Sequence, residues 1–187
     1  MHYYPLVLDA VAAGSGRVLE VGCGEGYLAR QLAEKVAHVT AIDVDPPIVE
    51  FARATNPAPN IDYVLGDFLT YPFDEPFHAA VAVTVLHQMG TAAGLQRMKE
   101  VVRPGGTVAV VGLARSRFPA DLPYDAAGAV ATRVHRLTKP FAETYAPKVW
   151  PPAETFAEAR RIVADVLPGA RYRRHVMWRW STVWTKP

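Results

Sequence analysis

Cysteine is almost missing from this sequence, and its scarcity excludes two common ways of bracing a small protein. The single Cys23 rules out an intrachain disulfide and any cysteine-based zinc cluster. The 6 histidines are scattered, with no H-x-x-x-H pair, so no metal site is expected from them either. No stretch reaches the about 18 consecutive apolar residues of a membrane span, and the opening M-H-Y-Y-P-L has no basic segment before an apolar run. The expectation is a cytoplasmic protein with no membrane partner. Long repeats and low-complexity tracts are also lacking, and 187 residues fit one domain at roughly 100 to 200 residues each.

Excess charge is lacking only on average. The formal net charge is +2, yet residues 1–112 hold 7 Lys plus Arg against 12 Asp plus Glu, whereas residues 113–187 hold 13 against 6. A basic half can face an anionic partner, or simply carry solvated arginines on helices and an edge hairpin. Arg171, Arg173, Arg174 and Arg179 beside Tyr172, Trp178 and Trp180 have the composition of a stacking surface for nucleic acid. With no RNA-binding module in the sequence, nucleic acid is not the expected partner.

What is present is a hydrophobic half of the composition, organised around Val18–Leu28, V-L-E-V-G-C-G-E-G-Y-L. An apolar run ends at Glu20 and Val21, glycines follow at 22, 24 and 26, and an amphipathic segment begins at once. This predicts a buried strand, a tight turn and a helix start, with bare backbone against which a nucleoside-type ligand can lie. The dinucleotide fingerprint G-x-G-x-x-G is the main rival, and it needs a small third residue where this chain has Tyr27. Glu20 and Glu25 beside the turn suit a cationic ligand better than a pyrophosphate.

The wording, an acidic residue followed by x-G-x-G-x-G, resembles motif I of the class I S-adenosylmethionine (SAM) dependent methyltransferases, with Glu20 in the acidic place. The resemblance implies a Rossmann-like three-layer α/β sandwich whose seven-stranded, mostly parallel sheet closes with an antiparallel last strand. It further implies SAM as cofactor and S-adenosylhomocysteine (SAH) as product. Glu20, Gly22, Cys23, Gly24 and Gly26 would then surround the methionine part, and Cys23 reads as a small turn residue rather than a catalytic thiol.

The rest of the chain continues the resemblance to about residue 112. A strand over His38–Ile42 ends in Asp43, where a carboxylate can accept both ribose hydroxyls, with Val44 next to it. Asp45-Pro46 starts a helix to about Thr55. A third strand, Ile61–Leu65, precedes Asp67 and Phe68, which match the family's adenine-binding acid and the residue that packs on the ring. Phe77–Val85 is a small apolar strand of the buried parallel kind. Its carboxyl end should face the cofactor's methyl group, which brings in Thr84 and His87. His87 is the candidate general base, since an imidazole with a pKa of about 6.5 accepts protons near neutrality; orienting a loop is its other reading. His78 stands where the family often has an acid, and reads as structural variation. A helix over residues 92–102 and R-P-G-G lead into a fifth strand, Thr107–Val111.

Ahead of this core, a helix from Pro5 puts Tyr3 and Tyr4 at the pocket mouth, where the family commonly covers its cofactor. Behind it, residues 113–152 read as an insertion on the ligand face, with a helix over 122–137 and His135, Tyr145 and Trp150 as candidate substrate contacts. A helix over Pro152–Leu167 and a hairpin turning near Trp178–Trp180 complete the chain. One methyltransferase domain is therefore expected over residues 1–187, with its cofactor core in 1–112, the insertion in 113–152 and the closing elements in 153–187. The expected activity is methyl transfer to the oxygen or nitrogen of a small-molecule acceptor, by a monomer or homodimer. A SAM-binding regulator or partner subunit without catalysis, and an NAD(P)-binding oxidoreductase, are the alternatives.

Overall fold

The computed structural model describes residues 3–117, 119, 121, 128, 129, 133 and 151–187. Seven strands form one sheet: β1 (Arg17–Val21), β2 (His38–Asp43), β3 (Ile61–Leu65), β4 (Phe77–Val83), β5 (Val102–Leu113), β6 (Arg171–Arg174) and β7 (Arg179–Thr185). Their spatial order is β3-β2-β1-β4-β5-β7-β6. The five strands β3, β2, β1, β4 and β5 are mutually parallel, and β7 runs antiparallel to both β5 and β6. The chain winds outward from β1 to β3, then returns to lay β4 against the other side of β1. That reversal opens a crevice at the carboxyl ends of β1 and β4, the place where open α/β sheets receive ligands.

Period-two alternation sorts the apolar strands into two cores. Val18, Ala79, Val81, Ala109 and Val111 point to the face covered by α1 (Tyr4–Ala10), α2 (Tyr27–Ala33) and α3 (Pro46–Thr55), through Val7, Leu28, Leu32, Val49 and Ala52. Leu19, Val21, Ala80, Ala82, Val108 and Val110 point to the other face, under α4 (Leu86–Met89), α5 (Thr91–Val101) and α6 (Phe156–Val166). Both faces being covered is why these strands read as continuous apolar runs.

Several boundaries differ from expectation for local reasons. Helix α2 ends at Ala33 rather than Ala37, because Lys35, Ala37 and His38 bond to the glycine segment before β1: Gly14 donates to the Lys35 carbonyl, Ala37 to Ser15 and His38 to Gly16. Strand β5 starts five residues before the expected Thr107, since Gly105 and Lys186 exchange backbone bonds with each other's neighbourhood and hold the P-G-G segment to the sheet. Asp45 does precede α3, but its side chain makes no capping bond. Helix α6 starts at Phe156, four residues after the expected Pro152, because Thr155 and Glu158 form a reciprocal capping box. The hairpin turns through Met177 and Trp178, both left-handed at φ 57°, so Trp180 already lies in β7. The helix expected over 122–137 falls on residues of which only 128, 129 and 133 are described.

His78 is the second residue of β4, where its Nδ1 accepts a hydrogen bond from the Arg17 amide at 3.1 Å and its ring fills the space beside Gly16. At the other side of the sheet the fully buried Trp180 lies across from its β5 partner Gly112, and its indole N–H donates to the Leu113 carbonyl at 3.1 Å. A Cβ on Gly112 would sit 2.2 Å from the indole ring, so no larger residue fits while Trp180 keeps its place. Gly112→Ala should cost about 1–3 kcal/mol, as overpacking typically does. Urea unfolding monitored by tryptophan fluorescence checks this; an unchanged midpoint would mean that the indole moves aside freely.

Candidate functional site

The crevice is floored by the turn from β1 to α2. Gly22, Gly24 and Gly26 all take left-handed backbone, at φ 68°, 52° and 80°. Two of them are also held by neighbours: a Cβ on Gly22 would meet Val85 at 2.4 Å, and one on Gly26 would meet the Tyr63 hydroxyl at 2.5 Å. Gly24 is different, because a Cβ there would meet nothing within 4 Å. Its bare backbone faces open space. The Gly22 and Cys23 amides both donate to the Ile42 carbonyl, at 2.9 and 3.1 Å, which pins the turn to β2. Cys23 is buried, and burial together with the charges of Glu20 and Asp43 drives its thiol far above the ordinary range. A thiolate nucleophile is therefore disfavoured.

Two carboxylates flank this turn. Asp43, at the end of β2, accepts the Gly24 amide on Oδ2 at 2.9 Å and the Asp45 amide on Oδ1 at 3.2 Å. Each oxygen keeps a further lone pair for a ligand. Glu20 lies on the β1 face that carries Val18 and is only 3% exposed, and among the described residues its Oε2 has no hydrogen-bond partner. Burial, and then the neighbouring Asp43 charge, push its pKa well above the carboxylate range, opposed by the Ala29 amide. An orphaned buried carboxylate oxygen under an open glycine backbone is a suitable environment for a cationic ligand group.

Beside Asp43 the surface turns apolar. Val44 is 68% exposed, and Leu65, paired with Asp43 across β2 and β3, is 47% exposed. Leu65 was not among the expected site residues; the hint in the sequence is that it ends the strand that follows Asp43. Asp67 is exposed and accepts the Leu69 amide at 2.9 Å. Phe68 is 3% exposed, with its ring in the core near Phe73, so it supports the Asp67 loop from beneath.

On the β4 side, Thr84 holds a strained left-handed conformation at φ 61°, and its amide donates to the Val111 carbonyl at 2.7 Å. His87 follows on the short α4, with a buried Nδ1 that has no partner. Burial and the Arg179 charge lower its pKa, while Glu154 opposes them, so the ring is neutral at neutral pH. Because β7 is antiparallel, its first residue, Arg179, pairs with Leu113 at the carboxyl end of β5 and thus reaches the same end of the sheet. Glu154 arrives there through the bond from the Arg115 amide to its carbonyl. Tyr3 donates to the Val176 carbonyl at 2.8 Å and packs 5.6 Å from His175, joining the amino-terminal segment to the hairpin turn. Tyr4 lies on the cradle side, where burial and the charges of Glu20 and Glu25 raise its hydroxyl pKa. His135, Tyr145 and Trp150 lie outside the described residues. Among the described residues no group of three His, Cys, Asp or Glu could hold a metal ion, and no helix is long and apolar enough to cross a membrane.

Known proteins of similar sequence and fold are methyltransferases. Residues 18–106 match the family described as Methyltransferase domain. An uncharacterized methyltransferase of Mycobacterium tuberculosis (strain ATCC 25618 / H37Rv) is 35% identical over 188 residues, which covers 99% of this chain and 95% of the relative. A ubiquinone biosynthesis O-methyltransferase of Xanthomonas campestris pv. campestris (strain B100) is 33% identical over 134 residues, 67% of this chain and 55% of its own. Among solved structures, the N-methyltransferase NodS from Bradyrhizobium japonicum WM9, in complex with S-adenosyl-L-homocysteine, shares the fold with a TM-score of 0.66 at 19% identity, covering 100% of this chain and 84% of that one.

The burial of Glu20 makes a stability prediction. Its raised folded-state pKa means that, above the ordinary 4.5, the unfolded chain releases a proton that the folded protein keeps. Stability is therefore lost as pH rises from there, until the folded group also ionises. Glu20→Gln removes this cost, so the variant should melt higher than the parent at pH 8 and equally at pH 4. The gain is about 2–4 °C for each kcal/mol relieved. Melting curves that differ by the same amount at every pH would show that Glu20 carries no such penalty.

Proposed function

The chain belongs to the methyltransferase domain family, and from that premise we propose that it moves a methyl group from SAM to an oxygen or nitrogen of a small-molecule acceptor. The observation that carries this reading is the open Gly24 backbone, set between the Asp43 carboxylate and the orphaned oxygen of Glu20. In this reading Glu20, Gly22, Cys23, Gly24 and Gly26 hold the methionine part, with Glu20 drawn toward its ammonium group. Asp43 takes the ribose hydroxyls. Val44 and Leu65 supply the apolar face for adenine, and Asp67, propped by Phe68, accepts from its amino group. One domain carries all of this, with residues 113–152 contributing on the acceptor side.

When bound, SAM supplies a methyl group on a sulfonium that is already a good leaving group. The work left to the chain is geometry: holding the acceptor atom in line at roughly 3 to 3.5 Å, where positioning alone removes several kcal/mol of barrier. Thr84 and the cradle fix one side of that line. His87 stands on the other, its pKa lowered by burial, and its ring can take the proton that a hydroxyl acceptor loses as the new bond forms or that a neutral amine sheds once methylated.

Calorimetric titration with SAM, SAH and NAD tests the donor assignment. SAM and SAH should bind and NAD should not; the reverse would overturn the reading. Asp43→Ala should weaken SAM by about 2 kcal/mol, close to thirtyfold, through lost charge-assisted bonds. An unchanged affinity would free Asp43 of the ribose role.

His87 makes a kinetic prediction. Because its pKa is shifted downward, turnover should rise with pH through a midpoint below the ordinary imidazole value of about 6.5 and then level off. His87→Ala should lower turnover by about 10²-fold or more and leave SAM affinity unchanged. A variant with full turnover and the same pH profile would leave His87 a loop-orienting residue.

A further inference from the structure

The guanidinium of Arg179 is not accounted for by the donor site. Resting on the acceptor reading above, we propose that Arg179 is the acceptor-specificity residue, and that it grips the carboxylate of an organic acid presented at the carboxyl end of β5, beside His87.

The first support is what Arg179 lacks. Arg17, Arg30, Arg97 and Arg174 each pair with a carboxylate, on Glu75, Glu34, Glu100 and Asp121. Arg179 is partly buried, yet among the described residues no carboxylate lies within 4.0 Å of it. Its side chain donates through Nη1 to the neutral Met177 carbonyl at 3.0 Å. A guanidinium has five donors in a planar fork, so most remain available for a bidentate partner, and a partly desolvated cation gains most from an anionic one. The Met177 bond itself orients the fork, from a turn whose two residues, Met177 and Trp178, are left-handed.

The second support is position. Arg179 opens β7 opposite Leu113, three strands from β1, so it reaches the crevice from the side away from the proposed adenine patch. It lies close enough to His87 and Tyr3 for its charge to bear on both. Glu154 bears on His87, whereas burial is what chiefly acts on Arg179. The cradle thus carries the acids Glu20 and Asp43, while Arg179 and Glu154 stand at the His87 end of the crevice. A positively charged donor and a negatively charged acceptor would each meet the complementary side, which also gives the basic carboxyl-terminal half of the sequence a use.

The test uses the full-length protein saturated with SAH and titrated calorimetrically with matched probes: benzoate against benzamide and octanoate against octanamide. At least one carboxylate should bind about tenfold or more tightly than its amide. Arg179→Met should reduce that ratio to about one while changing SAH affinity less than about twofold, and Arg179→Lys should keep part of it, since a point charge replaces the fork. Should the Met variant not fold, the Lys variant must still lose at least about threefold of the ratio. Equal binding of acid and amide by the parent, or a ratio unchanged in the variants, would overturn the proposal. Failure of the parent to bind SAH at all would instead sink the donor reading on which the proposal rests.

Discussion

The hydrogen bond from the Gly24 amide to Asp43 is the constraint on which the site depends, because one residue ties together three strand ends. The Asp43 side chain accepts Gly24 from the turn after β1 and Asp45 from the start of α3, while its backbone carbonyl accepts Gly66 from the end of β3. Parallel pairing sets the carboxyl ends of these strands side by side, and this junction keeps the connections above them in register. The open glycine backbone, the ribose acid and the Val44–Leu65 surface are fixed relative to one another by the same few bonds. No long side chain has to be ordered to form the cradle, so little conformational entropy remains to be lost when a ligand enters.

The electrostatic layout follows from that junction. Joining β1 to β2 at their carboxyl ends brings Glu20 and Asp43 together, and burial beside that charge raises the pKa of Glu20 well above the carboxylate range. A protein selected only for stability would place an apolar residue at Glu20. Its retention as an orphaned acid makes sense when a cation arrives to share the site, since binding then recovers part of what folding lost. On the other side of the crevice the sign reverses, with Arg179 supplied by a strand that runs against the rest.

The donor half of the site was legible in the sequence because its parts are local. A glycine turn, an acid at a strand end and an acid after the next strand are each written within a few residues, and parallel pairing converts their spacing into proximity. The acceptor half was not legible in this way. Arg179 reads as one of several arginines in a basic tail, and nothing nearby says that β7 starts where β5 ends; that is a property of the antiparallel closure. Glu154 is likewise placed by a backbone bond to Arg115, thirty-nine residues away in the chain. Leu65 looks like any strand residue until its pairing with Asp43 is known. The displaced ends of α2 and β5 have the same origin, since both are set by bonds to distant segments rather than by local propensity.

The division between the halves bears on how such a scaffold acquires a substrate. The cradle needs the first three strands in one fixed register, so its residues can change little without loosening the Asp43 junction. The proposed acceptor side is assembled from the end of β4, the segment leading into α6 and the hairpin turn. A substitution at Arg179 or Glu154 alters the charge met by the acceptor and leaves the bonds among β1, β2 and β3 intact. Specificity is therefore free to vary around His87 while the donor geometry stays constant, and the sign of the charge at the start of β7 is the term most directly open to that variation.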